Sequence, residues 1–285
     1  MSEPVVEHAH AKINVFLRIL GRRDDGYHDL ETVLLPLDLH DVLSIVPSDA
    51  FTVEVVGPRA AELAEAGGES LLRRAAEAFA EAAGTPPRVD VVLDKRIPVA
   101  GGMGGGSADA AALLRALGRL HGVEMERLVE IATVVGSDVP GLMSGAATFV
   151  TGRGERLVSV HIQPTTWIVR PFPFAILTSD AYRWWDEQGT TGPDPGALIA
   201  ALETGNDELI GSAMFDDLQG PVVARHPEIG ATIETFLAAG ALGAMMTGSG
   251  PTVVALARHL GHADALAATV PGSFVATGPP RTMNP

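Results

Sequence analysis

Residues 98–108 read Pro98-Val99-Ala100-Gly101-Gly102-Met103-Gly104-Gly105-Gly106-Ser107-Ala108, with five glycines in the six positions from Gly101 to Gly106. Backbone without Cβ atoms lets amide N–H groups close on an oxyanion. A β-branched run, Val89 to Leu93, precedes the loop, and an alanine- and leucine-rich segment with helical spacing follows it. The order strand, glycine loop, helix N-terminus is that of an anion site, because the helix end adds roughly half a positive charge. Ser107 is expected to cap that helix. The plainer alternative is a flexible loop before a capped helix, but a loop that only had to turn would need one or two glycines. No lysine separates Gly106 from Ser107, so this is not a Walker loop. The dinucleotide pattern fails as well, since Ser107 stands where its third glycine belongs.

Three cations could serve a phosphate here: Lys95 and Arg96 beside the loop, and Lys12 far upstream. Lys12 and Asn14 lie two apart in an alternating segment, His8 to Leu17, and so share one face of a strand. Plain solvent exposure would also explain that pair. Tyr27 and His28 end a turn-rich connection, where packing at the base of a loop is the simpler account. Asp138, in Gly136-Ser137-Asp138-Val139-Pro140, is equally readable as an N-cap or as an acid at a site.

The whole chain has 285 residues, 46% of them hydrophobic, enough for one large domain or two ordinary ones. Its formal charge of −15 argues against a nucleic-acid partner. No apolar run reaches the roughly 18 residues of a membrane span, and the N-terminal residues lack a secretory pattern, so a cytoplasmic location is expected. With no cysteine, disulfides, thiolate metal sites and a cysteine nucleophile are excluded.

Taken whole, Pro98 to Ala112 resembles the phosphate-binding motif of the small-molecule kinases related to galactokinase, homoserine kinase and mevalonate kinase. Met103 stands where leucine is usual there, a swap of similar volume. Thr247-Gly248-Ser249-Gly250-Pro251 resembles the second glycine motif of that superfamily. Ala11-Lys12-Ile13-Asn14 with Leu17, followed by Asp25-Gly26-Tyr27-His28, is similar to the opening of one branch, whose acceptor is a cytidine-diphosphate-linked polyol of isoprenoid precursor synthesis.

The resemblance implies ATP as phosphoryl donor with Mg²⁺, although no metal-ligand cluster is visible. It implies residues 98–108 as the nucleotide loop, and Lys12 and Asp138 as catalytic cation and general base. Asn14, Tyr27, His28, Thr178 and Tyr182 would bind the acceptor. Asp216 stands where the family usually has asparagine, so no ligand role is carried onto it. A kinase of another branch, acting on homoserine or a mevalonate-like alcohol, would share the loops but need no aromatic set for a base. A non-catalytic relative would have lost Lys12 or Asp138. Monomer and homodimer are both open.

These groups need elements to hold them. Strands are expected at 8–17, 31–37, 42–46, 51–56 and 89–93, and helices at 71–83 (capped by Ser70), after Ser107, and at 124–135. A hairpin should join 145–150 to 156–160. Beyond it come a strand over 172–177, a short helix from Thr178, and helices over 196–202, 207–214, 221–225 and 229–239. Strand, glycine turn and strand over 243–256, a helix at 263–268 and a strand at 274–276 end the chain. The expected fold is α/β with two domains. Residues 1–155 would form a mixed-sheet nucleotide domain, and 156–285 a ferredoxin-like domain by resemblance, with the acceptor between them.

Overall fold

The structure is a computed structural model that describes residues 3–187 and 189–280. It divides into two compact units that are not successive stretches of chain. The first takes the chain up to Ala11, Leu39–Val99 and Gly104–Gly145; the second takes Lys12–Asp38, Ala100–Met103 and the chain from Ala146 onward. Two long strands, β1 (Val5–Arg22) and β2 (His28–Pro47), run through both. The two short runs expected over 31–46 are thus one strand of 20 residues. Polar Asp38 to Asp41 interrupts the apolar pattern without breaking the extended backbone.

In the first unit, β4 (Val89–Asp94) pairs antiparallel with the end of β2 and parallel with β3 (Thr52–Val56), which makes the sheet mixed. A short helix the sequence reading missed, α1 (Ala60–Glu65), leads to α2 (Ser70–Ala83). Then come α3 (Gly105–His121), α4 (Met125–Val135) and the single turn α5 (Val139–Leu142). Leu72, Ala75, Ala76 and Phe79 of α2 fall at helical spacing and meet Leu43, Ile45, Val91 and Leu93 of the sheet in one core. Helix α3 is buried from Ala108 to Gly118 almost without a break. Its small alanines let neighbouring helices come close, and a buried helix needs no polar face.

In the second unit, β5 (Thr148–Gly152) and β6 (Arg156–Ser159) form the expected hairpin, with β5 antiparallel to the start of β2. The next strand is β7 (Thr165–Arg170), not 172–177. Pro171 and Pro173 lack amide hydrogens and cannot donate to a ladder, so the strand ends before them. Helices α6 (Thr178–Asp186), α7 (Gly196–Thr204) and α8 (Asp207–Ala213) follow, then the two-residue β8 (Phe215–Asp216), α9 (Gln219–Val223) and α10 (Pro227–Ala238). Asp194 accepts the Gly196 N–H at 2.8 Å and Asn206 accepts that of Leu209 at 3.1 Å, which starts α7 and α8.

Strands β9 (Gly243–Met246) and β10 (Val253–Ala257) flank the second glycine turn; α11 (Leu260–Thr269) and β11 (Phe274–Gly278) close the unit. The sheet β11-β7-β10-β9 is antiparallel throughout. Ile168, Val253 and Ala255 share one of its faces with Ile229, Ile233, Phe236, Ala263 and Leu266 of α10 and α11.

Candidate active site

Within the first unit, α3 starts at Gly105, and Gly104 is its N-cap in the left-handed region, φ 67°. Ser107 is therefore the third helical residue and not the cap. The cap makes no side-chain hydrogen bond. The amides of Gly105, Gly106 and Ser107 belong to the first turn, where no intrahelical acceptor exists, while Ala108 N–H already reaches Gly104 O at 2.8 Å.

What the glycines clear is space behind the loop. A Cβ on Gly105 would stand 3.1 Å from Lys95 Nζ and 3.2 Å from Ile97 Cγ2, and one on Gly106 would stand 3.2 Å from Leu71. Leu71 also lies 3.7 Å from the Cβ position of Gly136, the start of the turn that carries Asp138. The helix start and that turn therefore share one packing partner, Leu71, which the sequence reading had only as a helix residue. Asp138 stands at the N-cap of α5, yet its side chain makes no capping bond.

Lys95 is a correction. Proximity to the loop suggested a phosphate cation, but its ammonium is buried between Asp41 (2.5 Å) and Asp109 (2.7 Å). Burial works against its charge, and Asp109 and Asp41 more than restore it, so its pKa is raised. Arg96 lies at the surface against Asp94. Neither Asp41 nor Asp109 was singled out from sequence. One acidic residue within the alanine run of α3 was the available signal.

In the second unit, alternation along β1 brings Lys12 and Asn14 to one face, and that face is buried. Lys12 Nζ donates to Asn14 Oδ1 at 2.7 Å and to Gly102 O at 3.0 Å, and its backbone N–H reaches Met103 O at 3.0 Å. Asn14 is fixed in turn. Its Nδ2 donates to Thr32 Oγ1 at 2.7 Å, and its backbone N–H donates to Thr247 Oγ1 at 2.7 Å. Thr32 and Thr247 are positioning residues that composition did not reveal. The segment Ala100–Met103 is thereby tied to β1 and to the second glycine turn. Gly102, φ 75°, lies so close to that turn that a Cβ would sit 2.9 Å from both Thr247 O and Gly250 O.

Asp216 pairs in register with Leu17 of β1, and its Oδ1 accepts the Leu218 N–H at 2.9 Å. Burial pushes its carboxyl well up, against the pull of the Leu218 amide and of Lys12.

The expected acceptor residues also gather in this unit. His28 stacks on Tyr182 with ring centroids 4.8 Å apart, and its Nε2 meets Asp186 Oδ1 at 2.8 Å. Trp185 stands edge-on to the same imidazole at 5.8 Å. Tyr27 is half exposed beneath the Arg153 guanidinium, 3.9 Å from its ring centre. Thr178 Oγ1 is 3.2 Å from Ser249 Oγ of the second glycine turn. A flat aromatic surface beside a glycine turn is suited to a planar ring joined to anionic groups.

Comparison with known proteins places the chain in a family. Residues 70–153 match the family described as GHMP kinases N terminal domain, and 198–276 match GHMP kinases C terminal. The class is thus that of small-molecule kinases. The 4-diphosphocytidyl-2-C-methyl-D-erythritol kinase of Symbiobacterium thermophilum is 40% identical over 250 residues, covering 86% of this chain and 88% of its own. That of Salinispora tropica is 41% identical, covering 94% and 88%. A crystal structure of 4-(cytidine 5'-diphospho)-2C-methyl-D-erythritol kinase superposes with a TM-score of 0.79 at 33% identity, over 96% of this chain and 99% of that one. Homoserine kinase from Cytophaga hutchinsonii, TM-score 0.75 at 19% identity over 98% and 95%, shares the fold. The chain belongs to the GHMP kinases, and within them to the 4-diphosphocytidyl-2-C-methyl-D-erythritol kinases. Among the described residues no helix is long and apolar enough to cross a membrane.

Proposed function

We propose that this chain transfers the γ-phosphoryl group of ATP to the 2-hydroxyl of 4-diphosphocytidyl-2-C-methyl-D-erythritol. The observation that carries the acceptor choice is the stacked His28–Tyr182 pair, held in the same unit as buried Lys12. Tyr27, His28 and Tyr182 receive the cytosine ring, and Thr178 and Asn14 complete the acceptor side. Residues 98–108 receive the nucleotide phosphates. The glycine positions fit that task, since side chains there would crowd Lys95 or Leu71 or collide with the second glycine turn. In this reading residues 1–155 form the nucleotide module and 156–285 the second module of the kinase. These are modules of sequence and differ from the compact units, since Lys12–Asp38 and Ala100–Met103 group with the chain from Ala146 onward.

Phosphoryl transfer asks for alignment, charge neutralisation and an acceptor hydroxyl that can lose its proton. Asp138, in the turn that starts α5, takes that proton. Lys12, its ammonium aimed by Asn14 and the Gly102 carbonyl, neutralises developing charge. The amides at the start of α3 hold the phosphate oxygens. Among the described residues no group of three His, Cys, Asp or Glu side chains could hold a metal. Mg²⁺ accompanying ATP would supply further neutralisation of charge on the phosphate oxygens.

The test offers ATP with the cytidine-diphosphate polyol, homoserine and mevalonate side by side. Turnover of homoserine or mevalonate in preference to the polyol would refute the acceptor assignment. Lys12→Met and Asp138→Asn should each lower kcat at least ~100-fold, and the double variant should be scarcely worse than either. Fully multiplicative losses would mean the two act independently.

A further inference from the structure

Behind the start of α3 lies a charged group that the proposed reaction does not use. Asp41 of β2, Lys95 after β4 and Asp109 of α3 are all nearly or fully buried. Lys95 Nζ donates to Asp41 Oδ2 and to Asp109 Oδ2. Asp41 Oδ1 is filled by the N–H groups of Arg96 (2.5 Å) and Ile97 (2.8 Å). Asp109 Oδ1 is different: it is buried and has no hydrogen-bond partner. Two carboxylates on one ammonium leave one excess negative charge.

That charge is near the loop amides. Lys95 Nζ is 3.1 Å from the Cβ position of Gly105, the first residue of α3. The arginines of α2, α3 and α4 are engaged elsewhere. Arg73 of α2 pairs with Glu69, and Arg74 donates to Val134 O. Glu7 of β1 is taken by Arg115 and Arg119 further along α3, and Arg127 of α4 by Glu130. The groups facing Asp109 are Lys95 and Asp41.

An anion site with a buried excess negative charge behind it works against itself, because Coulomb repulsion at short range is weakly screened inside a protein. A proton on the unpartnered oxygen would cancel the excess. We propose that Asp109 takes up a proton from solvent when nucleotide phosphate binds at the start of α3, so that affinity for ATP is coupled to this buried carboxyl. The inference rests on the reading of residues 98–108 as the phosphate loop. Burial, helped by the Asp41 charge and opposed by Lys95, raises the Asp109 pKa to about 7. A further anion nearby moves it upward through neutral pH.

Calorimetric titration of ATP into the full chain, in buffers of different ionisation enthalpy, counts the protons taken up. If binding raises the pKa by one unit, about half a proton per ATP enters at pH 7.5 beyond the nucleotide's own ionisation. Asp109→Asn should abolish this excess and flatten the severalfold weakening of ATP binding from pH 6.5 to 8.5. Asp41→Asn keeps an acceptor for Arg96 and Ile97 and leaves Lys95–Asp109 a neutral pair, so its uptake should shift below pH 7. That variant still decides the matter if Asp109→Asn fails to fold. ATP that binds all three proteins with the same proton uptake overturns the coupling alone. ATP that binds none of them overturns the loop reading, and the coupling with it.

Discussion

Gly248→Ala tests whether Lys12 is held by the geometry described above. Gly248 has φ +59°, a region where a Cβ costs ~1–2 kcal/mol. The added carbon would also stand 2.8 Å from Asn14 Oδ1 and 3.4 Å from Lys12 Nζ. Asn14 has no easy retreat, because its Nδ2 is fixed on Thr32. Moving Oδ1 breaks the bond from Lys12, and a hydrogen bond to a charged group is worth ~1.5–3 kcal/mol. The sum is ~2.5–5 kcal/mol, or roughly 4–8 °C in Tm for a chain of this size.

Displacement of the ammonium by even a fraction of an ångström should lower kcat by at least ~10-fold, since misplacement by 1 Å can cost ~100-fold. Gly122→Ala is the control. Its φ is +67°, but its Cβ would meet nothing within 4 Å, so it should lose only the backbone cost and keep kcat. Thermal unfolding and steady-state phosphorylation of the two variants give the answer. Equal losses of Tm, or a Gly248→Ala enzyme with undiminished kcat, would refute the proposed hold on Lys12.

Two further outcomes are expected. Tyr182→Ala removes the ring stacked on His28, and Tyr27→Ala the one beneath Arg153. Each should raise the acceptor KM roughly 10- to 100-fold and leave that for ATP nearly unchanged; equal changes in both would make the rings structural. Asp216→Asn keeps an oxygen for the Leu218 N–H and removes a charge that burial disfavours. The folded pKa lies above the unfolded value, so the wild type loses stability as pH rises from about 4 through the folded pKa. The Tm advantage of the variant should therefore grow from pH 5 to pH 8, and a flat or opposite trend would refute it.

Much of the architecture was legible because it is written in local pattern. The 3.6-residue spacing of Leu72, Ala75, Ala76 and Phe79 marked α2, and the alternation around Lys12 and Asn14 marked the middle of β1. The glycine-rich stretches marked both turns. The strand over 172–177 was misplaced because its apolar residues match a strand, while two prolines deny it a ladder. Ser107 was misread as a cap because cap preference favours serine over glycine. The left-handed turn at Gly104 fixed the helix start three residues earlier than a serine cap would allow.

The site divides in the same way. Residue types told which groups could do chemistry, but burial decided which of them are already occupied. Lys12 and Lys95 look alike in sequence, a lysine in or just after a strand. In the fold, Lys95 lies between two carboxylates contributed by residues 54 and 14 positions away. Lys12 is aimed by Asn14 two residues along its own strand and by the Gly102 carbonyl 90 positions away. Spacing within a strand can foretell the Lys12–Asn14 contact, since alternate residues share a face. It says nothing of Asp41 or Gly102, whose positions follow from how strands pair and where the glycine loop returns. Asp109 shows the limit most clearly. In sequence it is one polar residue in the first turns of a helix, where acidic side chains are common for reasons of the helix dipole. Only the closing of β2, β4 and α3 around Lys95 gives it a buried oxygen without a partner, and with it a proton equilibrium near neutral pH.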